Sequence, residues 1–190
     1  MLVSNNFSSF YNEGIAVCTT PATRRMVHIF CEEDMYDENQ DHLIFPAFDD
    51  NFFLSFPKVL YRIRYVKKQS KFYVPFCNSL SIAFTNEKKK LFIPSLFNIR
   101  DDLSVCISLP QKGFSKIEDL CKACIQTFWQ SDFDDSMYDA YSDYGANSIL
   151  KDPRRWQKKT KKDPDWVPNG RILKKCTQSF QNFCNLDLHN

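Results

Sequence analysis

The order of apolar and polar positions divides this chain into a β-rich first part and a helical second part. Residues 14–19 and 26–31 read as two short strands joined by a turn around Pro21. Residues 43–48 and 52–56 are aromatic-rich and β-prone. Residues 59–66 alternate in part and carry many β-formers, Lys67 to Lys71 supply a turn, and 72–76 return, with Pro75 marking an edge or a strand end. Residues 80–84 and 91–93 flank a polar tip at 86–90. Such a series is a β-meander, which implies an antiparallel sheet. Residues 1–13 are polar and read as a frayed segment or short cap, and 32–41 form a strongly acidic loop.

The period changes after Cys106. Ile117, Leu120, Cys121, Cys124, Ile125 and Phe128 recur at helical spacing, and the helix should end near Trp129 or Gln130. Ser115 with Glu118 three residues on fits a capping box. Asp132, Phe133, Asp134 and Asp135 then form an acidic exit. The aromatic, acidic stretch 138–144 has no clear period. Pro153 is placed to open a helix containing Trp156. Residues 164–170 break structure, and Ile172, Leu173, Cys176, Phe180 and Phe183 fit one stripe of a last amphipathic helix. The expected fold class is therefore α+β. The expected organisation is a polar N-terminal segment (1–13), one main domain (14–150) and a basic, helical extension (151–190).

Composition narrows the function. A length of 190 residues with 43% hydrophobic and 15% aromatic content can bury a core and does not suit a disordered chain. With four glycines and neither G-x-x-x-x-G-K-[ST] nor G-x-G-x-x-G, phosphate-cradling loops are nearly excluded. The net charge is only +2, yet Arg154, Arg155, Lys158, Lys159, Lys161 and Lys162 crowd together. That run is either a solvated face or a docking patch for an acidic partner or nucleic acid.

Eight cysteines are many for this length. The first residues show neither a charged n-region nor an apolar h-region, and no apolar run suits a membrane span, so a cytoplasmic, reducing setting with free thiols is expected. Cys121 and Cys124 form C-x-x-C, but no second such pair or His pair stands at ligand spacing. On a helix these two share a face, and buried small hydrophobes are the expected reading. No cofactor and no metal is implied.

The chemistry-bearing segment runs from Pro94 through Leu96, Phe97, Asn98, Asp101 and Asp102 to Val105 and Cys106. An amide on a turn, an acidic reversal and a short apolar approach precede a cysteine, an arrangement suited to a thioester site. The thiolate is the reactive form, and cysteine is nucleophilic enough without a dedicated base. No histidine lies near Cys106 in sequence, so a Cys–His hydrolase would need a long-range contact. Asn98 has two candidate jobs. Its amide can donate to the oxyanion formed when a lysine attacks the thioester, an effect of about 3–4 kcal/mol in well-placed cases. Alternatively it can hydrogen-bond the backbone of its own loop and hold Cys106 in place.

The spacing and flanks of Asn98 and Cys106 resemble the active-site segment of ubiquitin-conjugating enzymes, where a His-Pro-Asn turn precedes the thioester cysteine. Leu96 and Phe97 stand where that family has His-Pro. Phe56-Pro57-Lys58-Val59 resembles the Pro-rich strand entry of the same fold. The stretch from Phe56 to Asp135 is most similar to bacterial relatives of the UBC-like fold, notably the PRTRC system protein B group. Phe97-Asn98, Asp101-Asp102, Val105-Cys106 and the run Phe128 to Phe133 carry that similarity. The longer interval from Pro57 to Asn98 implies an extra hairpin.

The resemblance implies an antiparallel meander packed against helices that follow a catalytic cysteine. It implies that Cys106 accepts a ubiquitin-like modifier as a thioester from an adenylating activating enzyme and passes it to an amine. Asn98 would assist. Asp132, Asp134 and Asp135 would stand in the place of an acidic loop that orients an incoming lysine and favours loss of its proton, because only a neutral amine attacks. Related bacterial gene clusters add a deconjugating metalloprotease, and several act in antiphage defence. A non-catalytic binding module of the same fold is the second reading. A nucleic-acid-binding accessory protein, using residues 154–162 with Trp156 and Trp166, is the third and least favoured.

Overall fold

One long β-hairpin, bent once, organises the molecule. In the computed structural model, residues 2–8, 12–36, 43–100, 102–134 and 148–185 are described. Strands β1 (Leu2–Ser8), β2 (Glu13–Thr20), β3 (Thr23–Cys31), β4 (Met35–Tyr36), β5 (Leu43–Phe45), β6 (Phe48–Phe56) and β7 (Lys58–Lys68) come first. Strand β2 pairs antiparallel with β7, ending at Thr20 opposite Val59. Strand β3 pairs with β6, beginning at Thr23 opposite Phe56, so the same register continues across the gap. Pro21 and Pro57 occupy that gap. Neither has an N–H to give to a ladder, so the ribbon breaks its pairing there and turns from one sheet into another. The turn expected around Pro21 is therefore a corner between sheets, because β2 and β3 do not pair with each other.

The first sheet runs β1-β2-β7-β9-β10, with β8 (Lys71–Tyr73) also on β7, β9 spanning Leu80–Thr85 and β10 spanning Leu91–Phe92. The second sheet holds β3 and β6, with β11 (Phe133–Asp134) added parallel to β3. The architecture is α+β, with a curled antiparallel sheet and few helices. The β7–β8 turn uses Gln69 and Ser70 at positive φ.

Residues 2–8, expected to fray, form an edge strand on β2 instead. The polar side chains there are compatible with an edge, where one face meets water and the backbone still gains a partner. The Tyr65 hydroxyl donates to Asn5 Oδ1 at 2.6 Å, and the Phe7 and Tyr65 rings stack 6.1 Å apart. Gly14 lies opposite Tyr65, and a Cβ there would collide with its phenol and with the Asn6 carbonyl.

Helix α1 (Ile117–Gln130) packs on β2, β7 and β8 through Ile117, Leu120, Cys121, Cys124 and Phe128. Its N-cap is Lys116, and the capping box expected at Ser115 does not form. Glu118 and Asp119 in the first turn favour the helix end through the dipole instead. Helix α2 (Pro153–Lys162) opens on Pro153, capped by Asp152, whose carboxylate accepts from the Arg154 N–H at 2.9 Å. It lies on β6, with Trp156 Nε1 donating to the Ser55 carbonyl at 3.0 Å. The long last helix expected over 172–183 shrinks to α3 (Phe180–Cys184). Residues 174–176 pair with β10 instead: the Ile93 N–H donates to the Lys174 carbonyl at 2.9 Å, and the Cys176 N–H to that of Leu91 at 3.0 Å. An unpaired sheet edge competes with helix formation for those backbone groups, and here it wins.

The two halves of the bent ribbon meet over an aromatic core. Phe56 contacts Trp129 and Trp156 edge-on, with ring centroids 4.9 and 5.2 Å apart. Trp129 Nε1 donates to the Tyr61 hydroxyl at 2.7 Å, which satisfies the buried indole. Among the described residues, no helix is long and apolar enough to cross a membrane.

Candidate functional site

The chain from Leu91 to Ile99 runs through the interior with every residue buried. Leu96 and Phe97 are 2% exposed and line a small apolar void with Ile29, Leu150, Pro153 and Trp156. Their identity is set by core packing between the second sheet and α2. Asn98 follows at φ 63°, a left-handed conformation that asparagine tolerates better than most residues.

From Asn98 the backbone folds back on itself. The Arg100 N–H donates to the Ser104 carbonyl at 2.9 Å, and the Leu103 N–H to the Arg100 carbonyl at 2.8 Å. The Asp102 carboxylate accepts from the Ser104 N–H at 2.9 Å, so the acidic reversal expected at 101–102 has a mechanical role at Asp102. Asp101 lies outside the described residues. Ile99 bridges Val105, and the Cys106 N–H donates to the Asn98 carbonyl at 2.9 Å. The returning arm is strapped to β9 by the Ile82 N–H to Leu103 carbonyl and Val105 N–H to Leu80 carbonyl bonds, both 2.9 Å. Leu103, Ser104 and Val105 are buried, and Cys106 emerges directly after them as an exposed thiol.

A second line of contacts joins this hairpin to the end of α1. Asn98, 4% exposed, donates through Nδ2 to the Asp132 carbonyl at 2.6 Å. Asp132 Oδ1 lies 2.9 Å from His28 Nδ1, and His28 Nε2 lies 2.6 Å from Asp49 Oδ1. The structure thus joins the Asn98–Cys106 hairpin to Asp132, 34 residues on from Asn98, and adds His28 and Asp49. Asp134 sits on β11 opposite Phe30, half-buried, while Asp135 lies outside the described residues. The carboxylate of Asp132 is committed to His28.

The Asn98 amide grips backbone, as the second of its two jobs requires, but the carbonyl is that of Asp132, 34 residues away, and not one in its own loop. Asn98→Ala loses that bond, about 1–2 kcal/mol, and places a Cβ-bearing residue without a local polar partner at positive φ, about 1 kcal/mol more. A fall of about 2–3 kcal/mol in unfolding free energy is expected in urea titration. Asn98→Gly should recover the backbone part only. Equal stability of both variants with the parent would remove the latch.

His28 is held between two carboxylates. Partial burial works against the charged imidazole, but the hydrogen bonds and charges of Asp49 and Asp132 outweigh it and raise the pKa above the ordinary value. An imidazolium donates from both nitrogens, whereas the neutral ring donates from one only. Stability from this contact is therefore fully present below the unfolded-state histidine pKa, about 6.5, and is lost as pH rises through the higher folded value. The melting temperature should decline over that alkaline-side window, and His28→Gln should flatten the decline. An NMR titration placing His28 below an unperturbed histidine would contradict this.

Sequence reasoning missed His28 and Asp49 as site residues. The signal was the alternation in β3, where Val27, Ile29 and Cys31 are buried and His28 faces the other way. Asp49 becomes its neighbour only through the β3–β6 register, which pairs Phe30 with Asp49.

The other cysteines are differently placed. Cys121 and Cys124 are buried on α1, facing β2, where Cys121 is hydrogen-bonded to Cys18. That bond, together with burial, pushes the Cys121 thiol up, and burial pushes Cys124 up to about 12. Both are held neutral and are poor nucleophiles. Among the described residues, no group of three or more ligating side chains is arranged to hold a metal. Cys77 is the other exposed thiol, on a short 3-10 turn (Cys77–Ser79).

Fold and site together define an α+β protein with an exposed cysteine, strapped by a tight hairpin beside an Asn–Asp–His–Asp series of contacts. Comparison with protein-family models, curated proteins and solved structures finds no match for the chain.

Proposed function

We propose that this chain is a ubiquitin-conjugating-like transferase with a UBC-like fold, carrying a ubiquitin-like modifier as a thioester on Cys106. The observation that carries the reading is the exposed Cys106 thiol, backbone-bonded to Asn98 while the Asn98 amide is tied to Asp132. In keeping with this reading, the helix that follows the cysteine packs on an antiparallel sheet.

In the reaction, the Cys106 sulfur attacks the thioester carbonyl of the modifier on an adenylating activating enzyme. The activating enzyme's sulfur leaves and takes up the proton. A neutral amine then attacks the new thioester, the tetrahedral oxyanion collapses, and the Cys106 thiolate is expelled. Thioester exchange is nearly balanced in energy, so exposure and docking matter more than acid–base machinery. Asn98 serves by fixing the Cys106 backbone. Asp132 anchors that arrangement through its carbonyl, and Asp134 and Asp135 supply negative charge along the same segment for the incoming amine. A deconjugating metalloprotease would complete the cycle, and antiphage defence is the setting that the resemblance to bacterial UBC-like proteins suggests. A Cys–His hydrolase is less well supported, because among the described residues the one histidine is His28, and both its nitrogens face carboxylates.

The test is incubation with the cognate activating enzyme, the ubiquitin-like protein and ATP, followed by non-reducing electrophoresis and intact mass. The expected product is a thiol-sensitive adduct heavier by the modifier less one water. No adduct, with the activating enzyme itself shown to be charged, would leave the fold as a binding module.

A further inference from the structure

Helix α2 presents a solvent face made of cations alone. Pro153, Trp156, Gln157 and Thr160 turn toward the second sheet. There the Gln157 side-chain oxygen accepts from the Phe53 N–H at 2.7 Å, and Thr160 Oγ1 accepts from the Ser55 N–H at 3.1 Å. The remaining six positions are Arg154, Arg155, Lys158, Lys159, Lys161 and Lys162. Arg154 pairs with Asp152 at 3.3 Å, and Lys159 with Asp163 at 3.8 Å. Lys158, Lys161 and Lys162 are exposed. Arg24 extends the positive field past the helix end, its Nη2 donating to the Asp163 carbonyl at 3.2 Å.

This arrangement works against the helix that carries it. Arg154 with Lys158, Arg155 with Lys159 and Lys158 with Lys162 are like charges one turn apart, each of which destabilises a helix. A surface made only for solubility mixes signs. A face of one sign, fixed on a rigid sheet by Trp156, is instead complementary to a polyanion, whose charges would relieve the repulsion.

We propose that α2 docks duplex DNA through its phosphodiester backbone. On α2 the one aromatic, Trp156, is buried, and beyond the helix the half-buried Trp166 has Lys159 Nζ 6.0 Å from its ring centre, so among the described residues the cationic face itself offers no open ring on which bases could stack. That argues against single strands, which need stacking platforms. Cations flank the helix on both sides of its outer ridge, which suits a wide groove bordered by phosphates. The deep, narrow major groove of an RNA duplex does not admit such a ridge. Lysines act as point charges and read no base pattern, so the binding is sequence-independent. The proposal does not rest on the carrier reading.

The experiment is fluorescence anisotropy of the full chain with a short labelled DNA duplex of mixed sequence. About four phosphates neutralised gives a slope of about −3 to −4 in log affinity against log salt, so a fourfold rise in salt should weaken binding roughly a hundredfold. The triple variant K158E/K161E/K162E should bind at least about a hundredfold more weakly, and K158R/K161R/K162R should bind like the parent. Both should melt no lower than the parent, because no buried contact is lost. Absence of duplex binding at low salt, or unchanged affinity in the Glu variant, would overturn the proposal. So would a poly-glutamate peptide, the single strand or an RNA duplex binding as tightly as the DNA duplex.

Discussion

Cys106→Ser should eliminate the reductant-sensitive adduct with the modifier while leaving the fold in place. The sulfur is exposed, and the backbone bonds that build its surroundings use the N–H of residue 106 and the carbonyl of Asn98, which serine retains. A surface exchange of this kind changes stability by no more than about 0.5 kcal/mol. Loss of charging is therefore a loss of chemistry. A serine hydroxyl gives either no adduct or an ester that survives thiol, and both outcomes separate it from the parent. Cys77 provides the control, since it is the other exposed thiol. If charging survives in Cys106→Ser and disappears in Cys77→Ser, the carrier sulfur has been misassigned. Thermal melts of the two variants against the parent would show whether either result reflects unfolding.

Trp156→Ala should be the most damaging single change to stability. The indole is 1% exposed, meets Phe56 edge-on and donates to the Ser55 carbonyl. Truncating a buried tryptophan costs about 3–5 kcal/mol, and it leaves that carbonyl without its donor. The total stability of a domain is about 5–15 kcal/mol, so this one side chain decides whether a large share of molecules stay folded. For a chain of this size the melting temperature should fall by roughly 10–15 °C. Trp156→Phe keeps most of the volume and loses the N–H, so a drop of about 1–2 kcal/mol is expected. The alanine variant has a second consequence. Leu96 and Phe97 line the same void as Trp156, so loosening there should reach the turn at Asn98 and lower Cys106 charging. A melt unchanged from the parent would mean that α2 is not anchored by Trp156.

Local elements were legible where one short-range rule dominated. The α1 helix follows from the spacing of Ile117, Leu120, Cys121, Cys124 and Phe128, and its end at Gln130 from the polar positions beyond. Pro153 opened α2 as its lack of an N–H allows. The site was partly legible: the turn at Asn98, the reversal through Asp102 and the approach through Val105 to Cys106 lie within one short stretch, and their hydrogen bonds are local.

Other features depended on partners far along the chain. Residues 174–176 lie in a stretch with helical spacing, yet they pair with β10, because an open sheet edge offers backbone partners that sequence periodicity cannot register. Leu96 and Phe97, in an otherwise polar turn, make sense only against Ile29 and Trp156. The sequence by itself determined the alternation of apolar positions, the turn around Pro21 and the cysteine with its turn, since each is governed by neighbours a few residues away. Only the tertiary structure decided that two prolines bend one hairpin into two sheets, that the Asn98 amide holds Asp132, and that His28 lies between Asp132 and Asp49. Those contacts depend on register and packing between distant segments, and no local preference encodes the distance between them.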